Sequence, residues 1–450
     1  MLIDLGLIIK AVSDYEGECM IIVDTALEKR ERAGKPVRVG IVGAGYMGRG
    51  IAAQLLRPPL GMRLVAIANR TVSKAEQALR DAGLTHFRPV TSASQLDAAV
   101  AEGQISVTDD PLVLCDASKI DVIIDATSDI ECGALVALRA LENHKHVVLL
   151  NAVLDATVGP ILKAYADRNQ VVVTYTDGDE PGVAVNLFRF VKTIGLRPVA
   201  AGNLKGLLDP YRTPETQRAF AERVNQSAPM ITSFADGTKL AMECTILANS
   251  TGLRVGKRGM YGPTCSHVKE ALTLFPPDQL LNGGIVDFLI GAEPHTGVFV
   301  IGYSTDPVNS EYMKFFKMGD GPFYLFYTPF HLPQVQILST IARAALFQDP
   351  TTSPIGKPVC EVVTIAKRDL KAGEVLDGIG GFTCYGMIEN ADIVQKENAL
   401  PMGLSENCRL TRDILKDQVI TYADVEVPAG RLCDKLRAEQ NQYFCSTVSV

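Results

Sequence analysis

The run Val37-Arg38-Val39-Gly40-Ile41-Val42 is a short, mostly apolar stretch that passes through Gly43-Ala44-Gly45-Tyr46-Met47-Gly48 into a helical pattern. Few local features restrict a fold more. A strand apolar on both faces has to be buried between layers. The Gly-x-Gly-x-x-Gly turn after it is the pattern of a dinucleotide site. Gly43 permits the tight turn, Gly45 lets the backbone approach a pyrophosphate, and Gly48 lets the helix lie close to the strand. The first helical amides, from Tyr46 and Met47, then face the phosphates.

Apolar runs alternate with helix-type spacing as far as about Tyr175, through 63–68, 122–125, 146–150 and 171–175. This alternation predicts an α/β fold, a doubly wound parallel sheet of the Rossmann kind. Pro58 and Pro59 stop the helix after the glycine turn. The stretch 86–119 is less regular and reads as an inserted excursion. From Asp177 the chain turns to Gly/Pro-punctuated loops, a long helix around 229–250, strand-like runs such as 297–303, and an amphipathic helix near 332–347. Pro350, Pro354 and Pro358 then mark a linker. The expected organisation is an N-terminal extension and helix (1–36), an NADP-binding Rossmann domain (37–176), an α+β substrate and oligomerisation domain (177–355), and a small β-rich domain with a tail (356–450). Met20 offers a second start, so residues 1–19 are expected to be dispensable.

The 450 residues carry Lys+Arg 44 against Asp+Glu 51, a net charge of -7 with both signs interspersed. Basic tracts are absent, which argues against a nucleic-acid partner. The apolar opening is too short to span a bilayer, and no targeting pattern is visible, so no membrane partner is expected. The ten cysteines sit singly, without a Cys-x-x-Cys pair. Reduced thiols in a cytoplasmic protein are the simpler reading.

After the second strand the chain reads Asn69-Arg70-Thr71. An acidic residue there would bind the ribose hydroxyls of NAD, whereas Arg70 can pair with a 2′-phosphate and Thr71 can donate to it. NADP is therefore expected, with Asn69, Arg70 and Thr71 at its adenosine end; the bland alternative is a solvated loop arginine. Thr127 and Asn151, each just beyond a later strand, are candidates for the nicotinamide end.

Asp177, Asp179 and Glu180 form a compact carboxylate group in a Gly/Pro loop, able to hold Mg²⁺ or Mn²⁺ or else to cap the sheet as an acidic turn. Asn203 and Lys205 follow a strand-like run and are expected to face the same cleft. On one helical wheel Thr232, Asp236, Lys239, Glu243 and Ser250 share a narrow stripe, which would either face water or line an active site. As catalytic groups, Lys239 and Lys205 suit acid, base or phosphate-binding roles, and Glu243 and Asp236 suit base or metal-binding roles. Arg212, Lys257 and Arg258 are further phosphate candidates, and His267 is a possible proton carrier.

Lys145-His146-Val147-Val148-Leu149-Leu150-Asn151-Ala152 and Ile246-Leu247-Ala248-Asn249-Ser250-Thr251-Gly252 are similar to homoserine dehydrogenase segments. Two positions depart from that family, which has Asn-Lys at Asn151-Ala152 and Asp-x-x-x-Lys at Lys239 to Glu243. Residues 34–40, 43–50, 177–182 and 203–206 extend the resemblance to the deoxyxylulose-phosphate reductoisomerase-like family of bacteria. Two "strand, Arg-Asp, Leu/Ile, Lys, turn" pieces, at 362–376 and 410–421, resemble the SAF domain that ends sialic acid synthases. The resemblance implies NADPH-dependent, divalent-metal-assisted conversion of 1-deoxy-D-xylulose 5-phosphate to 2-C-methyl-D-erythritol 4-phosphate by a homo-oligomer. The substrate would be a sugar phosphate or polyol derivative. Two other readings stay open: a dehydrogenase of a hydroxy acid, polyol or semialdehyde, and a nucleotide-sensing regulatory protein.

Overall fold

The computed structural model describes residues 23–57 and 61–446. Pro58, Pro59 and the proposed alternative start with its dispensable residues 1–19 lie outside them. Seven short strands, β1 (Val37–Val42), β2 (Met62–Ala68), β3 (Arg88–Pro89), β4 (Ser106–Thr108), β5 (Val122–Asp125), β6 (His146–Leu149) and β7 (Val173–Tyr175), form one parallel sheet. Their spatial order is β3-β4-β2-β1-β5-β6-β7. The chain winds outward from β1 on one side and then returns to β5 on the other, so a crevice opens beyond Val42 and Asp125, which pair in register. This is a Rossmann α/β fold. The stretch 86–119, expected as an excursion, instead supplies β3, the helix Ala93–Ala101, β4 and the helix Pro111–Asp116. Strands of two or three residues are too short to show a period of their own.

A second, mixed sheet follows, made of β8 (Arg197–Lys205), β9 (Ile285–Ile290), β10 (Val298–Tyr303) and β11 (Phe323–Thr328) in the order β11-β10-β8-β9. β8 and β9 run parallel and the other pairs antiparallel. The helix Pro333–Phe347 turns back from this sheet to the first one. Its Ile337, Ile341 and Ala342 sit in the same apolar core as Ile41, Ile51 and Ile67. The segment read as a linker is likewise pinned down, because Thr352 N donates to Thr174 Oγ1 and Tyr175 N donates to Thr352 Oγ1, both at 3.1 Å.

The last block pairs β12 (Cys360–Ala366) with β13 (Cys384–Asn390), and β14 (Arg409–Leu410) with β15 (Val425–Glu426). Its duplicated sequence pieces bind one another reciprocally. Leu370 and Ile414 exchange both backbone hydrogen bonds, at 2.8 and 3.0 Å. Ala372 N donates to Asp413 Oδ1 at 2.9 Å, and its counterpart Lys416 N donates to Asp369 Oδ1 at 2.8 Å. The same interchange recurs in Leu376 N to Cys408 O and Ile420 N to Thr364 O, both 2.9 Å. Equivalent residues thus serve one another across a local pseudo-twofold axis.

One helix, Thr238–Thr251, lies where all of this converges. It packs on β8 and β9 of the second sheet, on the helices Ala152–Arg168 and Glu180–Thr193, and on β12 and β13 of the last block. Eleven of its residues are buried, from Thr238 and Leu240 through Asn249. A water-facing polar stripe is therefore excluded. The long helix expected over 229–250 is in fact two, Ala228–Ala235 and Thr238–Thr251. Gly237 breaks it by adopting a left-handed φ of 87°, and a Cβ there would meet Leu208 at 2.5 Å. Among the described residues, no helix is long and apolar enough to cross a membrane, and the nine described cysteines are unpaired.

Candidate active site

The glycine turn has the strained geometry its sequence implied. Gly43 has φ 103°, and a Cβ on it would lie 2.7 Å from Ala126 O. A Cβ on Gly48 would lie 2.0 Å from Gly43 O, so the helix Tyr46–Leu56 can start this close to β1 only with glycine there. Gly45 and Tyr46 are exposed at that helix's N-terminus, and Met47 is half-buried. Asn69 braces the turn: its Oδ1 accepts from Ala44 N at 2.9 Å, while its Nδ2 donates to Thr71 O at 2.8 Å. Arg70 and Thr71 are exposed beside it, and Arg70 makes no ion pair among the described residues.

Thr127 and Asn151 have local partners. Thr127 Oγ1 donates to Asp125 Oδ1 at 2.6 Å. Asn151 caps the helix Ala152–Arg168 by accepting from Leu154 N at 3.1 Å. Asp125 is fully buried, its Oδ2 lacks a partner, and burial pushes its carboxyl up to about 6.

Further along the same edge, a network of charges gathers where β7 ends. Tyr175 OH donates to Asp179, and Lys239 Nζ lies 3.2 Å from that hydroxyl and 3.0 Å from Asp179 Oδ2. Lys239 also reaches Glu243 Oε1 at 3.3 Å, one helical turn on. The other oxygen, Glu243 Oε2, accepts from Asn203 Nδ2 at 2.9 Å and Lys205 Nζ at 3.2 Å. Lys205 pairs with Glu180 Oε1 at 2.7 Å, and His331 Nε2 stands 3.6 Å from Glu180 Oε2. His331 is held from behind by Thr296 Oγ1 at 3.0 Å.

The cluster has two layers. Glu243 and Glu180 are 2% and 7% exposed at their side chains, against 22% for Lys205, 19% for Lys239 and 25% for His331. The two glutamates lie deepest and the nitrogen groups nearer the surface. Burial favours neutral lysines, yet the surrounding carboxylates outweigh it and hold both ammoniums well above their ordinary value: Glu180 and Glu243 for Lys205, and Asp179 for Lys239. The two glutamates separate. Burial pushes both up, but Lys205 and His331 bring Glu180 well below the usual range, while Glu243, facing that negative charge, is raised. Of these two glutamates, Glu243 is the one more inclined to take up a proton.

Asp236 and Asp177 do not join this cluster. The break at Gly237 leaves Asp236 capping the preceding helix, buried against Lys367 Nζ at 2.9 Å. Asp177 Oδ1 accepts from its neighbour Gly178 N at 2.8 Å, and its carboxyl faces Arg343 and Asn186. His331 takes its place beside Asp179 and Glu180. The other cationic candidates are engaged elsewhere, Arg212 with Asp209 and Arg258 with Glu389 and Glu397. His267 caps a short turn, accepting from Lys269 N. Tyr175 and His331 were not among the candidate residues expected from the sequence. Tyr175 had a signal in its place two residues before the acidic loop; His331, far along the chain, had none.

A divalent cation fits these side chains poorly. The ligand atoms of Asp179, Glu180 and His331 lie within 4.8 Å of one another. Both carboxylates, however, already hold an ammonium. A dication bound there would stand a few ångströms from two fixed positive charges, each repelling it by about 8 kcal/mol at 4 Å if the site screens like a protein surface.

Comparison with known proteins follows the same division. Residues 37–151 match the family described as "Oxidoreductase family, NAD-binding Rossmann fold". Residues 178–337 match "Oxidoreductase DRL, catalytic domain", a span containing Asp179, Glu180, Lys205, Lys239, Glu243 and His331. Two stretches of the chain are thus similar to oxidoreductases, one to their NAD-binding fold and one to a catalytic domain. Among curated proteins, a homoserine dehydrogenase of Methylobacillus glycogenes is 30% identical over 122 residues, covering 27% of this chain and 26% of that relative. The match thus spans about a quarter of the relative's length. Among solved structures, a homoserine dehydrogenase from Thiobacillus denitrificans is 15% identical with TM-score 0.42, covering 86% of this chain and 98% of that one. A scyllo-inositol dehydrogenase from Lactobacillus casei is 13% identical with TM-score 0.37, covering 60% and 74%.

Proposed function

We propose that this protein is an NAD(P)-dependent oxidoreductase that interconverts a CH–OH group and a carbonyl on a small oxygen-rich substrate, with Lys239 as the proton-transferring group and NADP as the preferred cofactor. The observation that carries the reading is the pair of partly exposed ammoniums set on buried carboxylates, at the end of the sheet that also bears the glycine turn. β7 lies three strands from β1, roughly 14 Å at the usual strand spacing, so a dinucleotide anchored at Gly43–Gly48 can extend its nicotinamide towards Lys239. When bound, that ring supplies or receives the hydride. In the reducing direction the carbonyl oxygen gains negative charge, accepts a hydrogen bond from Lys239, and takes its proton. Glu243, 3.3 Å from Lys239, is placed to return one.

The two ammoniums grip the two oxygens of Glu243 from one side, at 3.3 and 3.2 Å. Such a pair suits two neighbouring oxygens of a substrate, as in a 2-hydroxy acid, a polyol or a hydroxyaldehyde. Asn203 Oδ1, buried without a partner, would accept from one of its hydroxyls. The test is to bind NADPH by fluorescence and then follow nucleotide turnover with homoserine, inositols, 2-hydroxy acids and their carbonyl forms. Tight nucleotide binding without hydride transfer to or from any of these classes would defeat the reading.

A second reading, reductoisomerisation of 1-deoxy-D-xylulose 5-phosphate, rests on the sequence resemblance carried by residues 34–40, 43–50, 177–182 and 203–206. The lysine-occupied carboxylates count against its metal. Product NMR separates the two, since only this reading yields a rearranged carbon skeleton.

A further inference from the structure

The acidic loop that suggested a metal is closely neutralised by lysines. Asp179 Oδ2 accepts from Lys239 Nζ at 3.0 Å and from Tyr175 OH. Glu180 Oε1 accepts from Lys205 Nζ at 2.7 Å, and Glu243 draws both lysines and Asn203 Nδ2. The lysines come from different elements, Lys205 from the end of β8 and Lys239 from the first turn of the helix Thr238–Thr251. Their convergence is therefore a product of the tertiary fold and not of one charged stretch. Three carboxylates and two ammoniums make a nearly balanced set before any ion is added.

We infer that Lys205 and Lys239 are the resident cations of this site, standing where a divalent metal would otherwise bridge Asp179, Glu180 and His331, so that the protein is metal-independent and the metal site is latent. Hard cations bind carboxylate oxygens at about 2.0 to 2.6 Å, and those oxygens are already shared with ammonium protons. Removing both ammoniums leaves three carboxylates and an imidazole facing one another, an arrangement that a small dication stabilises. The inference concerns the resting protein and does not rest on the identity of the substrate.

Manganese EPR on the full chain tests it without any turnover. At equimolar Mn²⁺ the wild-type protein is expected to leave the signal of the free ion unattenuated, while Lys205→Met/Lys239→Met takes the ion up and a further His331→Phe releases it. Wild-type uptake of one Mn²⁺ per chain, lost on His331→Phe, would overturn the inference; so would a folded double variant that ignores the ion. If the double variant does not fold alone, the single Lys205→Met variant is melted with and without Mn²⁺. A rise in melting temperature supports the latent site, and its absence counts against it. NADPH binding, measured alongside, should be the same in all variants, so failure here is distinguishable from failure of the oxidoreductase reading.

Discussion

Lys239 touches Tyr175, Asp179 and Glu243 at once, and it is exposed enough to meet a substrate. Replacing it with methionine keeps most of its packing and removes its proton. The expected result is a fall in kcat of about 10²- to 10⁴-fold with NADPH affinity retained; loss of nucleotide binding instead would mean that the residue belongs to the cofactor site. Arg70 offers the converse case. Since it is exposed and unpaired, Arg70→Glu should weaken NADPH binding by roughly 1 to 3 kcal/mol while changing NADH affinity little, as fluorescence titration would report. Equal weakening of both would reject the 2′-phosphate role. Most of these residues were legible beforehand. Asn203 and Lys205 alternate on one strand face, Lys239 and Glu243 are one helical turn apart, and Asp179 and Glu180 sit on a turn after a strand. Asp236 misled because a glycine within a helical pattern is usually tolerated, whereas Gly237 has a positive φ that ends one helix and begins the next.

Among the elements, the helix Ala152–Arg168 carries an unusual charge for its depth. Asp155 in its first turn is buried, has no cation beside it among the described residues, and is pushed up to about 7 by burial. Its folded value exceeds the unfolded one, so the folded state keeps a proton that the unfolded state has already lost. Stability from this group is intact below the ordinary aspartate range, falls as pH rises towards the folded value, and is flat above it. Asp155→Asn should therefore gain on wild type by on the order of 2 kcal/mol between about pH 4 and pH 8, read from urea unfolding; a gap independent of pH would contradict the assignment. The same scale explains which elements the sequence hid. Long strands and helices announced themselves by period, whereas β3 and β4 are too brief to do so, and the helix Pro333–Phe347 gave no sign that it returns to the first sheet.

At the scale of the molecule, the last block acts as a cover for the active-site helix. Lys367 Nζ donates to Asp236 Oδ2 at 2.9 Å and to the carbonyls of Arg212 and Gly381 at 2.8 Å each, the first and last of these in the interior. Thr238 Oγ1 accepts from Gly386 N at 2.9 Å, and Asn249 Oδ1 accepts from Val359 N at 2.7 Å, so both ends of the helix are tied to the block. Lys367→Met strands Asp236 as a lone buried charge and should lower stability by about 3 to 5 kcal/mol, with Asp236→Asn in the same chain restoring part of it. An effect confined to activity, with unchanged thermal unfolding, would refute this structural role.

The ion pairs of the site also join elements that are far apart in the chain. Asp179 and Glu180 follow the edge of the first sheet, and Lys205 ends a strand of the second. Glu180 opens the helix Glu180–Thr193, which packs on β8 and β10, so the pair Lys205–Glu180 fastens the start of that helix to the end of the strand it covers. The charges proposed to carry the chemistry thus also hold helix to strand, and a substrate that draws the two ammoniums towards its own oxygens loosens that clasp.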